Sequence, residues 1–590
     1  MNKGVSPAFV RQLYLTIAIP RLLYGADIFL SPQRRHVTAS PSPSPTYNIT
    51  VMRRLATIQR RASIMITGAM RTTASPVLNI LAGLLPIHLT VDKWRHNAAL
   101  GLAVTPKGHP IYDMVRRTAQ RYVQKHPSPL HELFHTYNIK PDKMEKIVPI
   151  RQPNSWDPGI KITIPKDKNT AIEQCHSDRA VYQLYTDGSL TKDGVGAAAV
   201  IYKKGKRVAL TQLHLGPATE HTVYEAECAA MALGVFAIRN RRRVESVTIN
   251  VDNQAAILAS VDNKPGPGKY ILDIFHEQIN ALKDRNDDVA LKVRWTPGHV
   301  GIKGNEEADV AAKEASAGAC SAKKALPKQF RRPLPISKSA TKQHFNAKLQ
   351  EAAREAWRIA PQANKLKGIV SDASSKKHRK AIAKVDRSTS SLWTQLKTGH
   401  VGLNAHLHRI KISETATCTA CKQYNETVDH VLRHCRAYDE PRLQLRRYAR
   451  RDMTALQKLL GNDNNITYVA TFIKKTKRLT WTLKQDKKQV AQSNLFSGYS
   501  THREGRIATT GQGAHNRRRN ARRGGGQNQS QGTQREREAH AAGDIRSWLI
   551  MGNDGEGGRE RQEAESGTRG VHVGRGTGEK RLRVGASGSR

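Results

Sequence analysis

Four acidic residues stand in segments that otherwise predict ordered secondary structure: Asp187, Glu227, Asp252 and Asp309. Each closes or interrupts an apolar pattern, where an ionised carboxylate is costly unless a partner neutralises it. Carboxylate oxygens are ligands that Mg²⁺ prefers, and two such ions about 4 Å apart can promote in-line displacement at a phosphodiester. These residue types therefore indicate a site for two divalent cations.

Glu227 gives the most local of these arguments. In the helix predicted at 220–240, Ala226, Ala230 and Gly234 lie on one stripe at a spacing of three to four residues, and Glu227 lies on the same stripe. Glu227 should therefore face the body of the protein. Four converging carboxylates would raise one another's pKa values and repel, and bound Mg²⁺ would remove that repulsion.

Taken singly, each position also has an ordinary structural interpretation. Asp187 before a glycine fits a turn residue, and Asp252 before Asn253 fits a helix N-cap. Asp309 fits a solvated helix position, and His299 fits a surface histidine in a loop. A shared site is favoured because all of these residues occur together, each on an element that can position it.

A second group of side chains has the spacing of zinc ligands, Cys-x2-Cys-x8-His-x4-Cys. Its members are Cys418, Cys421, His430 and Cys435, with His434 as an alternative ligand. Three thiolates and one imidazole suit tetrahedral zinc. The alternative is a set of reduced cysteines in a pair of helices.

The elements that must position the carboxylates follow a β-α-β pattern from residue 181. Asp187 and Asp252 each end a predicted strand, so both can lie at the carboxyl edge of one sheet. The pattern predicts an α/β fold with a mixed five-stranded sheet and helices on its faces. The predicted elements are strands at 181–187, 194–206, 207–215, 244–252 and 289–297, and helices at 220–240, 253–283 and 303–318.

The composition of the chain indicates what kind of partner it binds. The chain has 97 Lys and Arg against 49 Asp and Glu, a formal net charge of +48, which predicts a polyanionic partner such as nucleic acid. No run of about 18 apolar residues favours membrane insertion, and the N-terminus lacks the compact apolar core of a signal peptide. We therefore expect an intracellular protein, in the nucleus or the cytoplasm, without a disulfide framework among its six cysteines.

The sequence pattern predicts seven regions. They are a helical region at 1–125, a linker at 126–178, the α/β domain at 179–320, a basic helical region at 321–410, the Cys/His segment at 411–440, a helical region at 441–494 and a disordered Arg/Gly-rich tail at 495–590.

Residues 181–318 resemble a type 1 ribonuclease H domain. The matching motifs are TDGS with Asp187, AE with Glu227, VDNQ with Asp252, and TPGHVGIKGNEEAD with His299 and Asp309. The resemblance implies endonucleolytic hydrolysis of the RNA strand of RNA–DNA hybrids, with two Mg²⁺ ions or with Mn²⁺.

The resemblance also implies a role for each residue. Asp187 would bridge both metals, Asp309 would hold the ion that activates water, and Glu227 and Asp252 would hold the ion at the leaving group. His299 would assist proton movement or product release. Four further positions would approach the hybrid's backbone or the RNA 2′-hydroxyls: Gly188, Ser189, Asn253 and Gln254.

The flanks resemble parts of non-LTR retrotransposon polyproteins. Residues 391–435 are similar to their C-terminal region, and residues 17–29 and 55–89 are similar to the thumb and connection of their reverse transcriptase. No Tyr/Phe-x-Asp-Asp polymerase motif occurs, so we expect a fragment or truncated reading frame. The Pro/Ser insert at 31–48 and the tail depart from the family pattern, either as a functional RNA-binding tail or as mis-predicted exons or read-through translation.

Three functional hypotheses follow. The first is an active, hybrid-specific endoribonuclease. The second is a catalytically idle remnant that binds nucleic acid through its Lys and Arg residues, the Cys/His segment and the tail. The third is a scaffold that associates with a full-length retrotransposon protein.

Overall fold

The structure is a computed structural model that describes residues 5–30, 48–121, 123, 127–153, 155–370 and 375–479. The expected tail at 495–590 lies outside the described residues, as does nearly all of the Pro/Ser-rich insert.

A mixed sheet forms the centre of the α/β domain. The predicted mixed sheet with flanking helices is confirmed, and a sixth short strand adds to one edge beside the five expected. The strands are β1 (Lys161–Thr163), β2 (Tyr182–Leu190), β3 (Val195–Lys203), β4 (Lys206–Gly216), β5 (Ser246–Val251) and β6 (Ala290–Trp295), in the order β1-β6-β5-β2-β3-β4. β2, β3 and β4 pair antiparallel, whereas β2–β5, β5–β6 and β1–β6 pair parallel.

Helices precede, interrupt and follow this sheet. Before it and at its start lie α1 (Pro7–Leu13), α2 (Ile19–Leu22), α3 (Ala26–Phe29), α4 (Ile49–Thr67), α5 (Ser75–Ala82), α6 (Ile87–Ala103), α7 (Tyr112–Gln120), α8 (Pro129–Tyr137) and α9 (Lys168–His176). Within it lie α10 (Val223–Ile238), α11 (Gln254–Ser260), α12 (Lys269–Lys283) and α13 (Lys303–Ser316).

The remaining helices follow the domain. They are α14 (Lys338–Arg358), α15 (Pro361–Lys365), α16 (Ser375–Ile382), α17 (Arg387–Thr398), α18 (Asn404–Arg409), α19 (Asp439–Tyr448), α20 (Leu456–Gly461) and α21 (Ile466–Lys475). None of the described helices alone has the length and apolar composition to span a membrane; α5 and α6 meet those criteria only as a pair, which is bent by 53°.

Helices cover both faces of the sheet, and two glycines allow their close approach. A Cβ on Gly188 of β2 would lie 2.6 Å from the backbone nitrogen of Glu227 on α10. On the other face, a Cβ on Gly196 of β3 would lie 2.0 Å from the backbone nitrogen of Ser316 on α13. Since real Cβ contacts are not this short, both positions need glycine for the helices to pack at these distances.

The interpretation of residues 126–178 as a linker is wrong. The described part of this segment contains α8, β1 and α9, and both Ala171 and Cys175 of α9 are buried. These elements are only three to nine residues long, too short to show a sustained period in the sequence. Pro129 occupies the first turn of α8, where proline is tolerated.

The helical regions on either side of the α/β domain pack against each other. Val77 and Leu81 of α5 share a buried apolar cluster with Trp393 of α17 and its neighbours. Arg387 donates a hydrogen bond to the carbonyl oxygen of Ile66 at 2.9 Å. Segments more than 300 residues apart in sequence thus form one core.

Candidate functional site

Three of the four acidic residues meet at one edge of the sheet. One oxygen each from Asp187, Glu227 and Asp252 lies within 4.8 Å of the other two. β2 and β5 are parallel and pair through Thr186 and Val251, so the next residue on each strand is one of these aspartates. α10 crosses the sheet beside Gly188 and brings Glu227 to the same place.

β2 extends further than the sequence pattern indicated. It was expected to end at Asp187 but continues to Leu190, because β3 pairs with residues 188–190 after the pairing to β5 has stopped. Asp187 is therefore held by strand pairing on one side and faces the neighbouring carboxylates at the end of β5.

Burial and mutual repulsion make the metal-free cluster resist ionisation. Burial, followed by the charges of Asp252 and Asp309, raises the pKa of Asp187 to about 7. Burial and the same kind of repulsion raise the pKa of Glu227 well above its usual range. The pKa of Asp252 is also raised, chiefly by burial. Bound cations would reverse these shifts by favouring the ionised carboxylates.

The surroundings of Glu227 fit a cation. Its side chain is 3% exposed, and its Oε2 has no hydrogen-bond partner among the described residues. A backbone hydrogen bond from Gly188 lowers the pKa of this carboxylate but does not offset burial. A buried carboxylate oxygen without a donor is costly unless it is protonated or binds a cation.

Asp309 lies at the rim of the cluster. It is close enough that its charge raises the pKa of Asp187 and of Asp252, but it does not belong to the tight group of three. Its Oδ2 accepts a hydrogen bond from Lys313 Nζ at 2.7 Å, one turn further along α13. Lys313 was not identified from the sequence, although its i, i+4 spacing from Asp309 is the signal for such a pair.

His299 lies in the turn between β6 and α13. It is exposed and its φ is +56°, an uncommon backbone conformation for a residue other than glycine. Its charge lowers the pKa of Asp252. A Cβ on the preceding Gly298 would lie 3.3 Å from Asp252 Oδ2, so this turn passes directly over Asp252.

The predicted substrate-binding residues surround the same edge. Gly188 and Ser189 follow Asp187 on β2. Asn253 caps α11, with its Oδ1 accepting from the backbone nitrogens of Ala255 and Ala256 at 3.0 and 3.2 Å. The interpretation of Asp252 as the N-cap is therefore wrong. Gln254 begins α11 and is half-buried.

A buried polar network holds the end of β5, close to the carboxylate cluster. The sequence pattern did not predict this network. The Arg294 side chain is fully buried, donates to Asn250 Oδ1 at 2.6 Å and forms an ion pair with Asp178 at 3.1 Å. It also donates to the carbonyl oxygen of Gln174 on α9 at 2.6 Å. Asn250 lies two residues before Asp252, so α9 helps to fix the end of β5.

The Cys/His group converges in the C-terminal region. Ligand atoms of Cys418, Cys421, His430 and Cys435 all lie within 4.8 Å of one another. Cys418 Sγ is 3.8 Å from Cys435 Sγ, and Cys421 Sγ is 3.4 Å from His430 Nε2. Zinc bonds of about 2.3 Å to sulfur and about 2.0 Å to nitrogen give tetrahedral edges of roughly 3.8 and 3.5 Å, so the donor set fits zinc.

Backbone geometry explains which histidine joins this group. The backbone nitrogen of Cys418 donates to the carbonyl oxygen of Tyr424 at 2.8 Å, which closes the turn that carries both Cys418 and Cys421. His430 begins a single π-helical turn, His430–His434, directly before Cys435. His434 instead lies 3.4 Å from Asp429 and is not part of the group.

A family model covers the α/β domain. Residues 179–317 match the family model described as RNase H. An N-terminal RNase H domain from Mycobacterium tuberculosis, solved as a fusion with maltose-binding protein, is 18% identical over 23% of this chain and 98% of its own, with a TM-score of 0.18. The protease–reverse transcriptase of Prototype Foamy Virus is 20% identical over 24% of this chain and 22% of its own, with a TM-score of 0.20.

No curated protein matches the chain. The family match coincides with the mixed sheet and with the edge at which the carboxylates converge. Residues 179–317, the RNase H domain, have an RNase H-like fold and match this family model.

Proposed function

We propose that the chain hydrolyses the RNA strand of RNA–DNA hybrids at the cluster of Asp187, Glu227 and Asp252. The observation that carries this proposal is the convergence of three carboxylates, within 4.8 Å, inside a domain that matches the RNase H family. Such a cluster is costly in a folded protein without cations, and divalent ions are what its oxygens can bind.

Each residue has a role in this proposal. Asp187 would hold both Mg²⁺ ions, which is supported by the action of both the Asp252 and the Asp309 charges on its pKa. Glu227 and Asp252 would hold the ion at the leaving group, and Asp309 would hold the ion that activates water. Divalent ions bound there supply Lewis-acid activation of water and stabilise the leaving oxygen. His299, exposed beside Asp252, would assist proton movement or product release.

The Cys/His group has a structural role in the same proposal. Cys418, Cys421, His430 and Cys435 hold one zinc ion that fixes the C-terminal helices. The spacing of these ligands, together with the helical regions at both flanks, supports an origin in a retrotransposon polyprotein. A full-length retrotransposon protein is then a candidate partner.

Cleavage of a labelled RNA–DNA hybrid by the full chain tests this proposal. We expect cleavage that requires Mg²⁺ and that falls by a factor of at least about 100 in Asp187→Asn, because the amide cannot bridge two cations. Asp193→Asn, which makes the same change at an exposed carboxylate in the turn between β2 and β3, is the matched control and should retain most activity. Equal cleavage by the wild type and Asp187→Asn would disprove the assignment.

A catalytically idle nucleic-acid-binding remnant is the second candidate, and one observation favours it. Asp309 is engaged by Lys313 at 2.7 Å and stands outside the tight group of three carboxylates. This candidate predicts salt-sensitive binding to any nucleic acid without metal-dependent turnover. The same assay separates the two, because Mg²⁺-dependent product appears only under the first.

A further inference from the structure

Two exposed tyrosines stack on each other outside the RNase H domain. Tyr448 at the end of α19 and Tyr468 on α21 have ring centroids 4.8 Å apart and ring planes within 5° of parallel. The two residues are 53% and 39% exposed. A large aromatic pair of this kind leaves substantial apolar ring surface facing solvent, which is typical of a binding surface rather than a core.

The tyrosines stand at a groove between α19 and α21. The groove has a volume of about 200 Å³, and its floor is formed by the buried side chains of Leu445 and Phe472. Its walls are polar and include Gln444, Thr467 and Thr471. A flat apolar ligand edged by hydrogen-bonding groups would match both the floor and the walls.

Positive charge flanks the groove. Arg447 precedes Tyr448 on α19, and Lys475 lies one turn beyond Thr471 on α21; both are exposed, and neither forms an ion pair within the described part of the chain. Residues 436–479 hold eleven Lys and Arg against four Asp and Glu. The ligand should therefore carry negative charge beside its flat apolar part.

We propose that the groove between α19 and α21 binds single-stranded nucleic acid, with a base stacked on the Tyr448–Tyr468 pair and the adjoining phosphates beside Arg447 and Lys475. Unpaired bases offer a flat ring with hydrogen-bonding edges, and the phosphate backbone supplies the negative charge. The bases of a duplex are stacked within the helix and cannot reach such a surface. This site is separate from the carboxylate cluster and would bind whether or not the RNase H domain is active.

Binding of short fluorescent oligonucleotides to the zinc-loaded full chain, followed by anisotropy without Mg²⁺, tests the proposal. We expect Tyr448→Ala and Tyr468→Ala each to weaken binding by about tenfold, because stacking on one aromatic ring contributes on that scale. Tyr448→Phe and Tyr468→Phe should bind as the wild type does, since the ring is kept. Leu443→Ala, at an exposed position elsewhere on α19, is the matched control and should have no effect.

An abasic oligonucleotide of the same length separates stacking from charge. It keeps the phosphates, so other basic segments of the chain bind it equally in all variants. The proposal expects the alanine variants to match the wild type on this probe. RNA and DNA versions of one sequence show whether the 2′-hydroxyl contributes, and weaker binding of both by the alanine variants supports the shared stacking site.

Three results would overturn the proposal. The first is equal loss on the normal and abasic oligonucleotides, which would place the effect in charge or folding. The second is no loss in either alanine variant. The third is a dimer in sedimentation that the alanine variants lose while oligonucleotide binding is unchanged, which would make a second copy of the chain the occupant.

Discussion

Lys313 Nζ lies 2.7 Å from Asp309 Oδ2, which places an ammonium group where the fourth carboxylate would otherwise be free to bind a cation. Lys313 is 55% exposed at its side chain and Asp309 is 22% exposed, so the pair is weak and reversible. A divalent ion can displace the ammonium group at low cost. The metal-free protein thus keeps Asp309 oriented without fixing it.

Replacing Lys313 should make the metal easier to bind. In Lys313→Met we expect the Mg²⁺ concentration for half-maximal hybrid cleavage to fall by about twofold, the scale of an exposed i, i+4 pair. The measurement is a Mg²⁺ titration of initial cleavage rate. Lys206→Met removes the same charge at an exposed position on β4 and should leave the titration unchanged. A higher Mg²⁺ requirement in Lys313→Met would instead make the lysine part of substrate binding.

Protons should compete with Mg²⁺ at Asp187. Burial, then repulsion from Asp252 and Asp309, raises its pKa to about 7 in the metal-free protein. Below that pH the carboxyl group must release a proton before it binds a cation. The half-saturating Mg²⁺ concentration should therefore rise by about tenfold for each pH unit by which the pH falls. Titrations at about pH 6 and about pH 8 check this expectation, and equal values at both would contradict it.

The buried Arg294 network should be needed for the stability of the RNase H domain. Arg294→Met leaves Asp178 and Asn250 without their partner, and we expect a loss of about 3 kcal/mol in the free energy of unfolding. Urea unfolding followed by circular dichroism measures this loss. Arg285→Met, at an exposed position after α12, should cost little. Equal stability of the two variants would show that Arg294 is not a structural centre of the domain.

Asp463 should stabilise the C-terminal helices in a pH-dependent way. It accepts from His378 Nδ1 at 3.0 Å, Trp393 Nε1 at 2.8 Å and Lys397 Nζ at 2.9 Å. Although burial opposes ionisation, the hydrogen bond from His378 and the charge of Lys397 hold the pKa of Asp463 below its usual range.

Because the folded pKa is depressed, the stabilisation is present above about pH 4 and is lost as the pH falls further. Asp463→Asn should lose about 3 kcal/mol at neutral pH, measured by thermal or urea unfolding. Glu440→Gln, an exposed position on α19, controls for the loss of a carboxylate. A variant as stable as the wild type at neutral pH would contradict this account.

The Cys/His group should bind one zinc ion per chain. Cys418→Ser should lower the zinc content measured by elemental analysis and should reduce the melting temperature, because folding of this segment is coupled to the metal. Cys320→Ser, which changes an exposed cysteine, should keep both values. Full zinc content in Cys418→Ser would exclude this ligand set.

Local patterns predicted the sheet and the approach of three carboxylates. Asp187 and Asp252 each follow an apolar run, and Glu227 lies on an apolar helix stripe, so period and spacing alone place all three. The fourth residue, Asp309, lies at the rim of the cluster, where Lys313 four residues further along α13 pairs with it. The convergence of the Cys/His ligands was also foreseeable, since its 18 residues form one contiguous segment.

Contacts between distant segments could not be predicted in this way. α9 looked like part of a linker, yet its Gln174 carbonyl oxygen accepts from the buried Arg294 side chain 120 residues later. None of the nine residues of α9 indicates that partner. The stacking of Tyr448 on Tyr468 likewise depends on how two short helices meet, which neither helix specifies by its own sequence.

The apolar cluster shared by α5 and α17 has a topological consequence. Because those two helices share a core, the RNase H domain is an insertion whose entry and exit are both tied to the same helical body. Glu145, which precedes the domain, links it to the segment that follows. Its carboxylate accepts from the backbone nitrogens of Gly268 within the domain and of Lys338 after it, each at 2.7 Å. Deleting either flank would expose apolar side chains of the other and loosen the inserted domain at both of its ends.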